Sequence, residues 1–208
     1  MQTHTLTPEQ VQQYHEDGYL IVRQFFSAEE VKLLYETSTG DDALLAHSYD
    51  MVDKNGKKSR LALWYTPGND VYGMMSRSER MVSAVEKLLG GQPAHFHSKV
   101  MQKEPKVGGA WEWHQDYGYW YRNGFLYPDM LSVMIALTPA TKENGCLQTL
   151  KGSHKMGRIE HGTSGEQVGA DMVRVEQALQ NHELVYAEMQ PGDALFFHCN
   201  TLHASAPN

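Results

Sequence analysis

The segment Trp113-His114-Gln115-Asp116 carries a histidine and an aspartate two residues apart. On a β-strand that spacing puts both side chains on one face. With one more histidine they would form a two-histidine, one-carboxylate set. That donor combination holds Fe(II) at three corners and leaves the opposite positions open, the arrangement of non-haem iron oxygenases. The triplet alone is common by chance, and its plain alternative is a surface strand with two solvated polar groups. The flanks point elsewhere. Trp111, Trp113, Tyr117, Tyr119, Trp120 and Tyr121 surround the pair. Aromatic side chains line small-molecule pockets, and polar groups among them need partners. Core packing accounts for about half of these rings.

Two histidines compete for the third position. His198 ends the apolar run Ala194-Leu195-Phe196-Phe197, and His203 lies five residues on (203 − 198) in Thr201-Leu202-His203-Ala204-Ser205. Spacing does not separate them. A further pair, His95-x-His97, has the same strand-face spacing and offers an alternative, a cupin-like site of three or four histidines. His47, His154, His161 and His182 fall in expected loops or helix ends and are read as solvated.

The elements that must position these groups follow from local signals. Thr7-Pro8-Glu9-Gln10 is a capping box with proline at the first helical position, for a helix ending at Asp17-Gly18. Tyr19 to Val22 is expected as a short strand. Ser27-Ala28-Glu29-Glu30 caps a second helix. Asp50 to Arg60 is polar and holds an Asn55-Gly56 turn. Arg77 to Leu89 is expected as a helix stopped by Gly90-Gly91. Beyond it, Pro93 to Met101 and Met130 to Thr138 are expected as strands, the latter so apolar that it should be buried on both sides. Glu183 to Met189 and Asp193 to His198 are expected as strands joined by the turn Gln190-Pro191-Gly192. Lys151 to Gly169 is expected as a loop over the site, and Val173 to Asn181 as a short helix. Helices first and strands afterwards indicate one α+β domain over 1–208, mainly β: a helical part, 1–90, and a barrel or sandwich core, 91–208.

Composition narrows the class. The 208 residues are 41% hydrophobic and 21% charged, ordinary for a globular protein with one core. A formal charge of −7 disfavours a nucleic-acid partner. There is no apolar run of membrane-spanning length, and Met1 to Thr5 lacks signal-peptide character. Cys146 and Cys199 are the only cysteines, so a cytoplasmic setting without disulfides is expected.

Taken in order, several motifs resemble the phytanoyl-CoA dioxygenase family of Fe(II)/2-oxoglutarate oxygenases. They are Asp17-Gly18-Tyr19, the Lys103 to Gly109 loop, Trp113-His114-Gln115-Asp116, Asn144-Gly145-Cys146-Leu147, Gly152-Ser153-His154, Pro191-Gly192-Asp193 and His203-Ala204-Ser205. The resemblance covers most of the chain. It implies a double-stranded β-helix (a jelly roll, cupin-like) with N-terminal helices. It selects His203 over His198, because the family's distal ligand is followed two residues later by serine. It makes His114, Asp116 and His203 both the iron ligands and the catalytic set. It places Lys99, Met134 and Ser205 at the 2-oxoglutarate pocket, with Lys103 nearby. The implied reaction hydroxylates a small molecule with O2 while the keto acid becomes succinate and CO2. A carboxylate at Asp116 favours hydroxylation, since related halogenases carry a small residue there.

One feature departs from the family pattern. The resemblance implies an arginine about ten residues past the distal histidine, clamping the far carboxylate of 2-oxoglutarate. The sequence given ends at Asn208, five residues past His203 (208 − 203). A jelly roll without its last strand would expose an edge, so truncation is the favoured expectation. Lys99, Arg60 and Arg122 are possible substitutes. The competing expectations are a cupin-like metal protein using His95, His97 and His203, and a non-catalytic remnant of the family.

Overall fold

The computed structural model describes residues 5–164 and 166–208. In chain order its elements are α1 (Pro8–Asp17), β1 (Tyr19–Val22), α2 (Ala28–Gly40), α3 (Asp42–Ala46), β2 (Tyr49–Val52), β3 (Lys58–Trp64), α4 (Val71–Ser76), α5 (Glu79–Leu89), β4 (Ser98–Gln102) and β5 (Trp111–His114). They continue with α6 (Asp116–Arg122), β6 (Leu131–Ile135), β7 (Leu147–Leu150), a 3-10 turn (Ser153–Met156), β8 (His161–Ser164), β9 (Gln167–Ala170), α7 (Met172–Asn181), β10 (Leu184–Tyr186), β11 (Ala194–His198) and β12 (His203–Ser205). No described helix is long and apolar enough to cross a membrane.

Local chemistry sets the helix ends. Both expected capping boxes form, at Thr7 and Ser27. Gly18 closes α1 at φ +80, a left-handed conformation that suits glycine. A Cβ at Gly18 would also collide with the His154 ring.

Two antiparallel sheets face each other. One has the order β1-β11-β6, the other β10-β7-β12-β5. In the first, Leu20, Val22, Ala194 and Phe196 turn outward onto Tyr14, Val31, Met81 and Leu88 of the helices. The alternate residues Tyr19, Leu195 and Phe197 turn inward onto Ala187, Met189 and Leu147. This period-two alternation makes one sheet serve two cores. A third sheet, β2-β3-β4, flanks them.

Several expectations change. Residues 5–90 contain three strands besides their helices, and β1 belongs to a main sheet through its pairing with β11. The Asn55-Gly56 turn joins β2 to β3, with the buried Asp53 accepting N–H bonds from Asn55, Lys57 and Ala110. β6 is only half buried at all five positions, because it pairs β11 on one side and edges its sheet. β10 and β11 form no hairpin: Pro191-Gly192 carries the chain from one sheet to the other. The segment expected as a loop carries a 3-10 turn, Ser153–Met156, and the paired strands β8 and β9. Its β8–β9 hairpin is fastened to β5 by Gln167, which bonds Glu112 N and Ala110 O.

Phe196 is fully buried and meets Phe25 edge-on, ring centroids 5.3 Å apart. Phe196→Ala should therefore lower unfolding free energy by about 3–5 kcal/mol, read from urea denaturation. A loss below about 1 kcal/mol would contradict its place at the junction of sheet and helices.

Candidate metal centre

The strand that carries His114 ends there. Gln115 keeps extended backbone (φ −114, ψ 135), and Asp116 opens α6 as its first residue. His114 and Asp116 therefore do not share a strand face as expected. They meet across a strand-to-helix corner. The fully buried Gln115 fastens that corner. Its Nε2 donates to Gly157 O and Asn200 O, and its Oε1 accepts from Ile159 N, each at 2.7 Å. Its backbone N–H donates to His161 Nε2 at 2.9 Å. Gly118 lets α6 lie against that imidazole, which a Cβ would strike.

β12 pairs β5 with His203 directly opposite His114, and their ring centroids are 4.0 Å apart. Each ring is held by a carbonyl two residues earlier: His114 Nδ1 by Glu112 O at 2.7 Å, His203 Nδ1 by Thr201 O at 2.9 Å. A carbonyl only accepts, so each Nδ1 carries a hydrogen and Nε2 is the ring nitrogen left to face Asp116. Both Nε2 atoms face Asp116 Oδ1, at 3.6 Å from His114 and 3.8 Å from His203. Asp116 Oδ2 accepts from Ser132 Oγ on β6 at 2.5 Å. One donor atom from each of the three residues lies within 4.8 Å of the others, the one such His/Cys/Asp/Glu group among the described residues. Two imidazole Nε2 atoms and a carboxylate, oriented through their other atoms, fit a divalent first-row metal.

The electrostatics agree with that use. Burial alone would raise the Asp116 carboxyl, but hydrogen bonding to His114 and the charges of His203, His114 and Lys99 hold it below the usual carboxylate range. Burial, with repulsion from His114, pushes His203 down to about 3 against the pull of Asp116. Near neutral pH the carboxylate is charged and the His203 ring is not.

The other sequence candidates fall in different places. His198 accepts Asn200 N–H at Nδ1 and lies beside the His154 ring, tilted against it, apart from the three. His95 is bonded to Ser98. His97 lies among Tyr65, Phe96 and Trp120, its Nδ1 buried without a partner among the described residues. Lys99, two residues on, has Nζ 5.6 Å from the Trp111 ring centre. Met134 faces the inter-sheet core. Lys103 Nζ donates to Ser205 Oγ (2.6 Å) and Ala206 O (2.7 Å). Arg60 pairs with Asp50, and Arg122 bonds His161 O. His161, expected in solvent, is buried. Ser132 and Gln115 escaped the sequence reading. The signal for Ser132 was that it is the lone polar residue of β6.

A family model described as phytanoyl-CoA dioxygenase (PhyH) matches residues 14–208. The chain is 25% identical to an ectoine dioxygenase of Bordetella parapertussis over 98% of its own length and 71% of the relative's. It is 31% identical to an L-proline trans-4-hydroxylase of Streptomyces griseoviridis over 71% of its length and 55% of the relative's. Among solved structures it resembles EctD from S. alaskensis with 2-oxoglutarate and 5-hydroxyectoine. The TM-score is 0.80 at 21% identity, covering 99% of this chain and 74% of that one.

Acid should destabilise the metal-free protein. His203 is depressed to about 3 and His198 to about 4, whereas an unfolded histidine titrates near about 6.5. Below that pH the unfolded chain binds protons that the folded one does not, so stability falls with falling pH. The slope per fully buried histidine approaches about 1.4 kcal/mol per pH unit. Urea midpoints should drop between pH 7.5 and 5, and His203→Gln should flatten the slope. A flat wild-type profile would contradict the buried neutral imidazoles.

Proposed function

Because the chain belongs to the phytanoyl-CoA dioxygenase family, we propose that it is an Fe(II)- and 2-oxoglutarate-dependent dioxygenase that hydroxylates a small molecule within a jelly-roll scaffold. The observation that carries this reading is the convergence of His114, Asp116 and His203 from β5, α6 and β12. When bound, Fe(II) with 2-oxoglutarate and O2 supplies oxidising power, turning the keto acid into succinate and CO2 as a substrate C–H bond becomes C–OH.

The chain's own residues bind and orient. The two carbonyl-held imidazoles offer Nε2, and Asp116 offers a charged oxygen. Lys99 is the cation we assign to the keto acid, since its Nζ lies 5.6 Å from the centre of the Trp111 ring, which neighbours His114. Met134 lines the same face of β6 as Ser132, two residues apart. Lys103 braces the end of β12 through Ser205 and is read as a support for the pocket. The aromatic wall of Tyr65, Phe96 and Trp120 around His97 suits a compact substrate. The relatives named for ectoine and L-proline make small cyclic amino acids the first substrates to test.

Iron-dependent succinate formation from 2-oxoglutarate tests the reading. Asp116→Ala should lower it at least about a hundredfold, since that variant loses a metal donor. His95→Ala should leave it within about twofold, because His95 bonds Ser98 outside the three-residue group. Undiminished turnover in Asp116→Ala would sink the proposal. Loss on His95→Ala alone would favour the cupin-like alternative.

A further inference from the structure

The two oxygens of Asp116 have different neighbours. Oδ1 faces both imidazole Nε2 atoms, while Oδ2 accepts the Ser132 hydroxyl at 2.5 Å. That length belongs to the short, charge-assisted class of hydrogen bonds. Ser132 comes from β6 of the opposite sheet, where it pairs with Phe197 of β11. Oδ2 is therefore pinned by the scaffold across from the corner that carries Asp116. The Asp116 side chain is only 13% exposed, so little water is at hand to replace that donor.

A carboxylate with both oxygens free can chelate a cation through both. Resting on the metal reading above, we propose that Ser132 is a positioning residue that restricts Asp116 to one-oxygen ligation. It thereby keeps free the neighbouring position that a chelating keto acid needs. Without the hydroxyl, the buried Oδ2 has the cation as its best remaining partner. The carboxylate then turns onto the metal and competes with 2-oxoglutarate.

This differs from an ordinary supporting contact. Losing such a contact typically weakens metal binding by about 10–100-fold. Here metal affinity is retained and co-substrate affinity is lost. The experiment titrates wild type, Ser132→Ala and Ser132→Thr by calorimetry with Mn(II), which accepts the same nitrogen and oxygen donors as Fe(II). The Mn(II)-loaded proteins are then titrated with 2-oxoglutarate. Water-proton relaxation of the Mn(II) proteins reports the number of bound waters.

In Ser132→Ala the Mn(II) Kd should stay within about threefold of wild type, and the 2-oxoglutarate Kd should rise about tenfold, the scale of one hydrogen bond to a charged group. Relaxation enhancement should fall, and Ser132→Thr should restore all three readings. Equal 2-oxoglutarate affinity in Ser132→Ala and wild type would overturn the proposal. So would a loss of Mn(II) affinity as large as the loss of 2-oxoglutarate affinity, which marks a merely supporting role. Wild type binding Mn(II) no better than Asp116→Ala would instead defeat the metal reading, and this proposal with it.

Discussion

The pairing of β12 with β5 places His203 opposite His114, and a slip of one residue would turn His203 to the far face of the sheet. β12 is only three residues long, so its own ladder is a weak guarantee of register. The turn before it is held instead. Ser153 Oγ accepts Leu202 N–H, Leu150 N–H donates to Leu202 O, and Thr201 Oγ1 donates to Gly18 O. After it, Lys103 grips Ser205 and Ala206. The Gly152-Ser153 and Asp17-Gly18 motifs thus act at a distance on the histidine, by fastening the turn that delivers it.

The same economy governs the charges. A carboxylate in a mostly buried place is costly unless its oxygens are satisfied. Asp116 meets that cost with Ser132 on one oxygen and two imidazoles near the other. The His203 imidazole remains neutral because burial and its proximity to His114 oppose a second proton there. Gln115, between His114 and Asp116, is fully hydrogen-bonded inside the protein, so the protein's own contacts stiffen the corner.

Parts of the fold were legible because their causes are local. The capping boxes at Thr7 and Ser27 and the stop at Gly18 each depend on a few neighbouring residues. Other parts were not. β6 looked doubly buried from its apolar run, yet its neighbours depend on which strand reaches it. Glu183 to His198 looked like a hairpin, but the chain changes sheets at Pro191-Gly192. His161 looked solvated because its burial is created by residues 43 and 46 positions away, at Gly118 and Gln115 (161 − 118 = 43; 161 − 115 = 46).

From the sequence by itself came the local elements, the His114-x-Asp116 triplet and the ordered motifs that resemble one family. These are patterns of spacing, and spacing survives without coordinates. Residue spacing could not choose between His198 and His203; only the family resemblance did so. The structure places His203 in the cluster through strand register, and His198 outside it. It alone brought Ser132 to Asp116 from the opposite sheet. Both are long-range contacts, set by how sheets pair and face each other, and no run of neighbouring residues encodes them.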